Sequence, residues 1–225
     1  EFYSGITSKR VIDFYKKNGG IFSQEDFEEY KVKKLRPICG AYRIYKVCSM
    51  PPPSSGGIAL IQMLNVLENF DISKLDHNSL EYLNILISTM DYAFFDRAKY
   101  LGDPEFFEIP QNMLTSKKYA LKIFKNIKAK KPAPKANIKF LEGEETTHFS
   151  IIDKWGNVVS NTYTLNTAYG SGIVPTGTGI LMNNEMDDFS LKPGYPNAYG
   201  LVGSEANKIE PRKTPLSSMS PIIVF

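Results

Sequence analysis

The sequence has no long apolar run, few cysteines and histidines, and little net charge. No stretch of its 225 residues approaches the roughly 18 to 20 apolar residues that cross a bilayer, so we expect no membrane span. A net charge of +3 gives no basis for a nucleic-acid partner. The two histidines, His77 and His148, are too few and too far apart in the sequence to suggest a zinc site.

A signal peptide is also missing from the sequence. Residues 1–5 lack the charged-then-apolar pattern of such a peptide, and the chain begins without methionine. Residues 222–225 form an apolar, strand-like run with no polar tail after it. We therefore expect the sequence to be a piece of a longer protein, and the missing signal does not indicate a compartment.

The only two cysteines, Cys39 and Cys48, are nine residues apart. On one continuous strand an odd spacing places two side chains on opposite faces. A disulfide would then require the chain to turn back at Gly40, so the spacing favours two free thiols.

Apolar periodicity and capping residues predict several helices in the first half of the chain. The predicted helices cover residues 6–17, 24–30, 58–68, 79–100 and 116–128, and a strand is predicted over 42–50. A proline- and glycine-rich turn at 51–57 precedes the third helix. Such a turn can cradle a phosphate, but this one lacks the Gly-Lys-Ser/Thr ending of a P-loop, which favours a rigid wall beside a site.

Lysines and prolines are then concentrated in residues 130–137, a composition that opposes packing. We interpret this stretch as a solvated linker rather than a nucleic-acid contact, because it has no interleaved aromatic residues. It lies a few residues before Thr146, so the preceding chain is free to move away if the chain is cut there.

From Thr146 onward the pattern changes to strands and turns. Residues 146–152 and 158–165 alternate as two strands around a turn at 153–157. If those five residues form the loop, Thr164 pairs directly with Thr146 and their hydroxyls come within reach. Threonine is common in strands, so the pattern leaves open whether Thr146 is structural or a nucleophile exposed by self-cleavage.

A predicted strand over residues 180–182 runs into a polar segment, 183–190. Two asparagines are followed there by Glu185, Asp187 and Asp188. Carboxylates with amides beside them suit recognition of an ammonium group. A metal site built on the three carboxylates is the competing interpretation.

Several long motifs, in order, resemble the γ-glutamyltranspeptidase family. The motifs are Pro-Pro-Pro-Ser-Ser-Gly-Gly (51–57), Asp-Arg (96–97), Tyr-Leu-Gly-Asp-Pro (100–104), Thr-Thr-His-Phe-Ser (146–150), Thr-Tyr-Thr-Leu-Asn (162–166), Asn-Asn-Glu-Met-Asp-Asp-Phe-Ser (183–190), Lys-Pro-Gly (192–194) and Pro-Leu-Ser-Ser-Met-Ser-Pro (215–221). The resemblance extends over nearly the whole chain.

That resemblance implies an α+β fold, the four-layer αββα sandwich of N-terminal-nucleophile hydrolases, incomplete at both ends. It divides the chain into the last part of a large subunit (1–145) and the first part of a small subunit (146–225), separated by self-cleavage between Glu145 and Thr146. The freed Thr146 would carry both a hydroxyl nucleophile and an α-amine, with an ordinary pKa of roughly 8, as its base.

The same resemblance assigns roles to residues of this sequence. Thr164 would tune Thr146, and Tyr199 would be a lid that screens the site. The α-amino group of a γ-glutamyl substrate would be held by Asn166, Glu185 and Asp188. Its α-carboxylate would be held by Ser217 and Ser218. The implied reaction uses no cofactor or metal, takes glutathione or another γ-glutamyl compound, and passes the γ-glutamyl group to water, an amino acid or a peptide.

The resemblance also places two elements outside residues 1–225. These are the family's arginine for the substrate carboxylate, upstream, and the paired glycines of its oxyanion hole, downstream. We therefore expect this chain alone to be inactive without the missing remainder of both subunits, since loss of one oxyanion donor costs on the order of a hundredfold in rate. The family implies a periplasmic or extracellular location. The alternatives are a β-lactam (glutaryl-type) acylase and a non-catalytic scaffold.

Overall fold

The computed structural model describes residues 1–134, 146–197 and 200–225. Their contacts divide into two compact units. The first unit contains residues 1–35, 146–147 and 164–185, and the second contains 36–134, 148–163, 186–197 and 200–225.

The first unit begins with two helices, α1 (Ile6–Lys17) and α2 (Gln24–Glu28). Helix α1 has Asn18 as its C-cap residue, and Gly19 then takes a left-handed backbone with a φ of 80°, as is common just after a helix. Helix α2 starts with a capping box, in which Ser23 and Asp26 bond to each other's backbone N–H groups. Aromatic side chains pack around these helices in edge and stacked pairs: Phe2, Tyr3, Tyr15, Phe22, Phe27 and Tyr30.

The second unit contains a three-stranded antiparallel sheet with the order β1 (Ile38–Tyr42), β2 (Tyr45–Ser49) and β5 (Ile222–Val224). The strand predicted over 42–50 is confirmed over its later part as β2, but its start is wrong, because the chain reverses at Arg43 and Ile44 and Tyr42 belongs to β1. Arg43 adopts a left-handed backbone, with a φ of 55°, without the glycine or asparagine that normally signals such a turn.

This reversal also overturns the prediction of two free thiols. In a hairpin with a two-residue turn, residues at odd separations pair, and Cys39 lies directly opposite Cys48 with a Cα–Cα distance of 4.1 Å. The two residues form a disulfide. The turn falls three residues beyond Gly40, where the chain was expected to reverse if the bond existed.

Four helices of the second unit are α3 (Gly56–Leu67), α4 (Leu80–Tyr100), α5 (Gln111–Leu114) and α6 (Lys117–Lys128). The serines before α4 and α6, Ser79 and Ser116, cap them through their side chains, and both helices start where they were predicted to start. Helix α3 packs on α4, α6 and β1. The buried core has two clusters, one of Ile38, Ile58, Ile61, Leu101, Leu114 and Leu216, the other of Val66, Phe70, Ile85, Tyr92, Ala120 and Ile123.

Strands β3 (Thr147–Ile152) and β4 (Val158–Tyr163) form the predicted hairpin, a two-stranded sheet. Residues 180–182 form no strand, although an apolar strand was predicted there. Met182 instead exchanges backbone hydrogen bonds with Ser171 and Ile173 in an irregular segment. Among the described residues, no helix is both long enough and apolar enough to cross a bilayer.

Candidate active site

Thr146 stands immediately before strand β3, and its hydroxyl is exposed. Its Oγ1 atom lies 3.2 Å from Oγ1 of Thr164, a hydrogen bond within the first unit. The register predicted from the five-residue turn is therefore confirmed at this pair. Thr164 Oγ1 also accepts the backbone N–H of Asn166 at 3.0 Å, which holds its side chain beside Thr146.

Within the second unit, one face of the hairpin carries a ladder of polar side chains. His148 Nδ1 lies 2.7 Å from Thr162 Oγ1, and His148 Nε2 lies 3.1 Å from Ser150 Oγ. Ser150 and Ser160 face each other one pair further along. His148 and Ser150 therefore share one face of β3, as the alternation predicts.

Asn166 and Glu185 lie in the first unit, where hydrogen bonds to Asn183 and Asn184 hold the segments around them. Asn166 is buried and donates its side-chain amide to the backbone carbonyl of Asn184 at 3.2 Å. The side-chain oxygen of Asn184 accepts both the N–H and the hydroxyl of Thr167. Glu185 begins a 3-10 turn, and its N–H is held by the side chain of Asn183 at 3.0 Å. Sequence reasoning missed this supporting role of the two asparagines.

Asp188 ends that turn and lies in the second unit. The buried side chain of Asn207 donates to the backbone carbonyl of Asp188 at 2.7 Å and accepts the N–H of Leu216 at 3.0 Å. One amide thus ties the Asp188 turn to the residue before Ser217. The described residues contain no group of three or more His, Cys, Asp or Glu side chains placed to hold a metal ion.

Ser217 and Ser218 pack against the proline- and glycine-rich turn before α3. Ser217 donates its N–H to Pro53 O at 2.9 Å and accepts the N–H of Ser55 at 2.8 Å. Gly56 approaches this loop so closely that an added Cβ would lie 2.1 Å from Ser220 Oγ. The turn is therefore filled by the protein's own chain, which fits the rigid wall rather than a phosphate cradle.

A buried arginine, Arg97, stands behind the two serines and was matched in the sequence only as part of a motif. Its Nε donates to Ser55 Oγ and its Nη2 donates to Ser218 Oγ, each at 3.1 Å. Burial lowers the pKa of the Arg97 guanidinium to about 10, while the negative charge of Asp188 acts in the opposite direction. The group therefore keeps its positive charge at neutral pH.

The remaining predicted site residues, Glu145 and Tyr199, lie outside the described residues. Thr146, Thr164, Asn166 and Glu185 belong to the first unit, whereas Asp188, Ser217 and Ser218 belong to the second.

Comparison with known proteins supplies the family. A model of the family described as Gamma-glutamyltranspeptidase matches residues 1–225. The chain belongs to the γ-glutamyltranspeptidase family. It is 50% identical over 229 residues to a glutathione hydrolase proenzyme of Escherichia coli (strain K12), covering 100% of this chain but 40% of that protein. The chain thus spans about 40% of the length of the curated relatives that it matches.

Solved structures of related proteins also resemble this one over part of their length. The γ-glutamyltranspeptidase of Helicobacter pylori is 45% identical with a TM-score of 0.55, over 56% of this chain and 36% of that one. A cephalosporin acylase from Bacillus halodurans is 27% identical with a TM-score of 0.79, over 99% of this chain and 38% of that one. The mixed α+β architecture is therefore that of part of a γ-glutamyltranspeptidase or acylase.

Proposed function

We propose that this chain supplies the nucleophile and much of the substrate-binding surface of a γ-glutamyltransferase and glutathione hydrolase. The observation that carries the proposal is the hydrogen bond between Thr146 and Thr164. It places a second hydroxyl against the threonine that the family motif assigns as the nucleophile. In the whole protein we expect the four-layer αββα sandwich, with large- and small-subunit parts meeting at Glu145 and Thr146.

In the proposed reaction, cleavage before Thr146 turns its backbone nitrogen from an amide into an amine that accepts a proton. The amine takes the Oγ1 proton as Oγ1 bonds to the γ-carbonyl carbon of the substrate. The C–N bond then breaks, and the proton passes to the departing amine. Water or an acceptor amine attacks the resulting γ-glutamyl ester and restores the hydroxyl of Thr146.

Two groups of side chains are proposed to recognise the two charged groups on the α-carbon of the substrate. Asn166, Glu185 and Asp188 carry the acceptors for its ammonium group, and Ser217 and Ser218 carry hydroxyl donors for its carboxylate. Tyr199 is proposed as a lid over the bound donor. No cofactor or metal takes part in the proposed reaction.

Mass spectrometry and turnover together test this function. In the full-length protein that contains this sequence, we expect two pieces that meet at Glu145 and Thr146, together with hydrolysis of γ-glutamyl-p-nitroanilide. Thr146→Ala should leave one uncut, inactive chain. An intact wild-type chain with no turnover would support the scaffold alternative instead. For residues 1–225 alone we expect no significant turnover.

Similarity to a cephalosporin acylase keeps acylase activity as the second candidate. A glutaryl amide lacks the α-amino group for which Asn166, Glu185 and Asp188 are proposed. We therefore expect γ-glutamyl-p-nitroanilide to be hydrolysed far faster than glutaryl-p-nitroanilide. The reverse preference would identify an acylase.

The Cys39–Cys48 disulfide supports a periplasmic or extracellular location, because disulfides persist in oxidising compartments and are rare in the cytosol. Fractionation of cells that express the full-length protein tests this. Recovery of the protein in the cytosol with free thiols would contradict it.

A further inference from the structure

The guanidinium of Arg97 is a buried cation to which the proposed reaction gives no role. Arg97 lies near the end of α4 and is only 6% exposed. It bridges two elements that are far apart in sequence, through hydrogen bonds to Ser55 and Ser218. Removing a charge from water costs free energy, which its partners have to compensate. A buried arginine whose hydrogen-bond partners include two serine hydroxyls therefore suggests a specific role for those contacts.

In the hydrogen bond between Arg97 and Ser218, the hydroxyl of Ser218 is the acceptor. A guanidinium has N–H donors and no acceptor, so Ser218 Oγ must accept the bond from Arg97. Its single proton is not used in that bond and is available to an acceptor on the exposed side. Ser217 Oγ likewise accepts the N–H of Met219 at 3.0 Å, which leaves its own proton for another acceptor.

Arg97 also acts on Ser217 through Ser55. Ser55 Oγ accepts the Nε–H of Arg97, and it donates its own proton to Ser217 O at 2.9 Å. The arginine therefore orients one serine of the pair directly and holds the backbone of the other by a relay. Both hydroxyls are left as donors with a positive charge behind them, and that combination suits a carboxylate.

We propose that Arg97 is a positioning residue that holds Ser217 and Ser218 as hydroxyl donors for the α-carboxylate of the γ-glutamyl substrate. Arg97 does not touch the substrate; it acts through the two serines and through its charge. This inference rests on the proposed function, since it names the residue that orients one part of that binding site.

Kinetics of an Arg97→Lys variant of the full-length protein test the proposal. Lysine keeps the charge but cannot bridge two hydroxyls with a planar fork, so the fold is expected to survive while the serines lose their orientation. For γ-glutamyl-p-nitroanilide we expect KM to rise about tenfold or more, with kcat changed less than about threefold. For 4-aminobutyryl-p-nitroanilide, which lacks the α-carboxylate, KM should not change.

A double-mutant cycle with Ser218→Ala separates positioning from general damage. In the Ser218→Ala background the effect of Arg97→Lys on KM should shrink by about threefold or more, because the direct contact is already gone. Equal effects in both backgrounds, or an equal rise of KM for both substrates, would overturn the proposal.

Amide hydrogen exchange gives a readout that does not depend on activity. The N–H of Ser217 donates to Pro53 O and the N–H of Met219 donates to Ser217 Oγ, and Arg97→Lys should speed the exchange of both about tenfold. Thr89→Val is the matched control, because Thr89 is buried on the same helix and its hydroxyl donates to Ile85 O of that helix. Unchanged exchange in Arg97→Lys, or equally fast exchange in Thr89→Val, would reject the role of Arg97 even if the proposed function holds. Faster exchange in a protein without γ-glutamyl turnover would reject the proposed function alone.

Discussion

The Oγ1 atoms of Thr146 and Thr164 face each other across the start of a β-hairpin at 3.2 Å. Thr164 also accepts a backbone N–H, so its side chain is held in place before any substrate arrives. The hydroxyl of Thr146 therefore has a defined neighbour, Thr164 Oγ1, whose position is fixed by a second hydrogen bond.

The first prediction concerns that neighbour. Thr164→Val keeps the shape of the side chain but removes the hydroxyl, so we expect kcat for γ-glutamyl-p-nitroanilide to fall about 10- to 100-fold with little change in KM. Thr164→Ser should keep most of the activity. Thr162→Val is the matched control two residues away, since its hydroxyl contacts His148 rather than Thr146. Equal losses in the two valine variants would argue against a specific role.

A second prediction concerns the disulfide between β1 and β2. Replacing both Cys39 and Cys48 by serine should lower the free energy of unfolding by about 2–3 kcal/mol, because the bond closes a loop of about ten residues in the unfolded chain. Urea unfolding of the oxidised protein and the variant measures the difference. Wild-type protein treated with dithiothreitol should match the variant, and an unchanged midpoint in either would contradict the disulfide.

The third prediction uses two glycines that differ in what surrounds them. A Cβ on Gly57 would lie 2.2 Å from the backbone oxygen of Met50, which cannot move without displacing the chain. A Cβ on Gly40 would meet the side-chain atom Cγ2 of Ile61 at 2.7 Å, and a side chain can adjust. We expect Gly57→Ala to destabilise the protein by about 3 kcal/mol and Gly40→Ala by clearly less. Thermal unfolding compares them, and a larger loss in Gly40→Ala would refute the close approach.

Much of the helical structure could be predicted because its signals are local. Ser79 and Ser116 cap α4 and α6, and the apolar spacing gives the extent of both helices. The β1–β2 turn could not be predicted, because Arg43 takes a left-handed backbone that its residue type does not signal. That one missed turn also produced the wrong prediction for Cys39 and Cys48.

In the candidate site, too, contacts between residues of one hairpin could be predicted from the sequence, and contacts between distant segments could not. The pairing of Thr146 with Thr164 follows from alternation and turn length within one hairpin, so the sequence was sufficient. The bond between Arg97 and Ser218 joins residues 121 positions apart, and no local pattern encodes it. The partners of the buried Arg97 become visible only when α4 is packed beside Ser55 and Ser218.

The last prediction concerns pH and the contact between Glu68 and Lys117. The Lys117 ammonium, followed by the backbone N–H of Arg43, holds the pKa of Glu68 below its ordinary value of 4.5. A carboxyl whose pKa is lower in the folded state stabilises the fold above its unfolded pKa, and this contribution is lost as the pH falls through the folded value. Wild type should therefore be more stable than Glu68→Gln at pH 7, by about 0.5–1 kcal/mol because both side chains are partly exposed.

The difference between wild type and Glu68→Gln should shrink steadily below about pH 4.5 and disappear in stronger acid. Urea unfolding of both proteins across that range measures it. At 1 M NaCl the Coulombic part should weaken, because the screening length falls to about 3 Å, whereas the bond from the Arg43 N–H is less sensitive to salt. A difference in the free energy of unfolding that is constant with pH would contradict the prediction. It would show that the charge of Glu68 does not contribute to its contacts with the Arg43 N–H and the Lys117 ammonium.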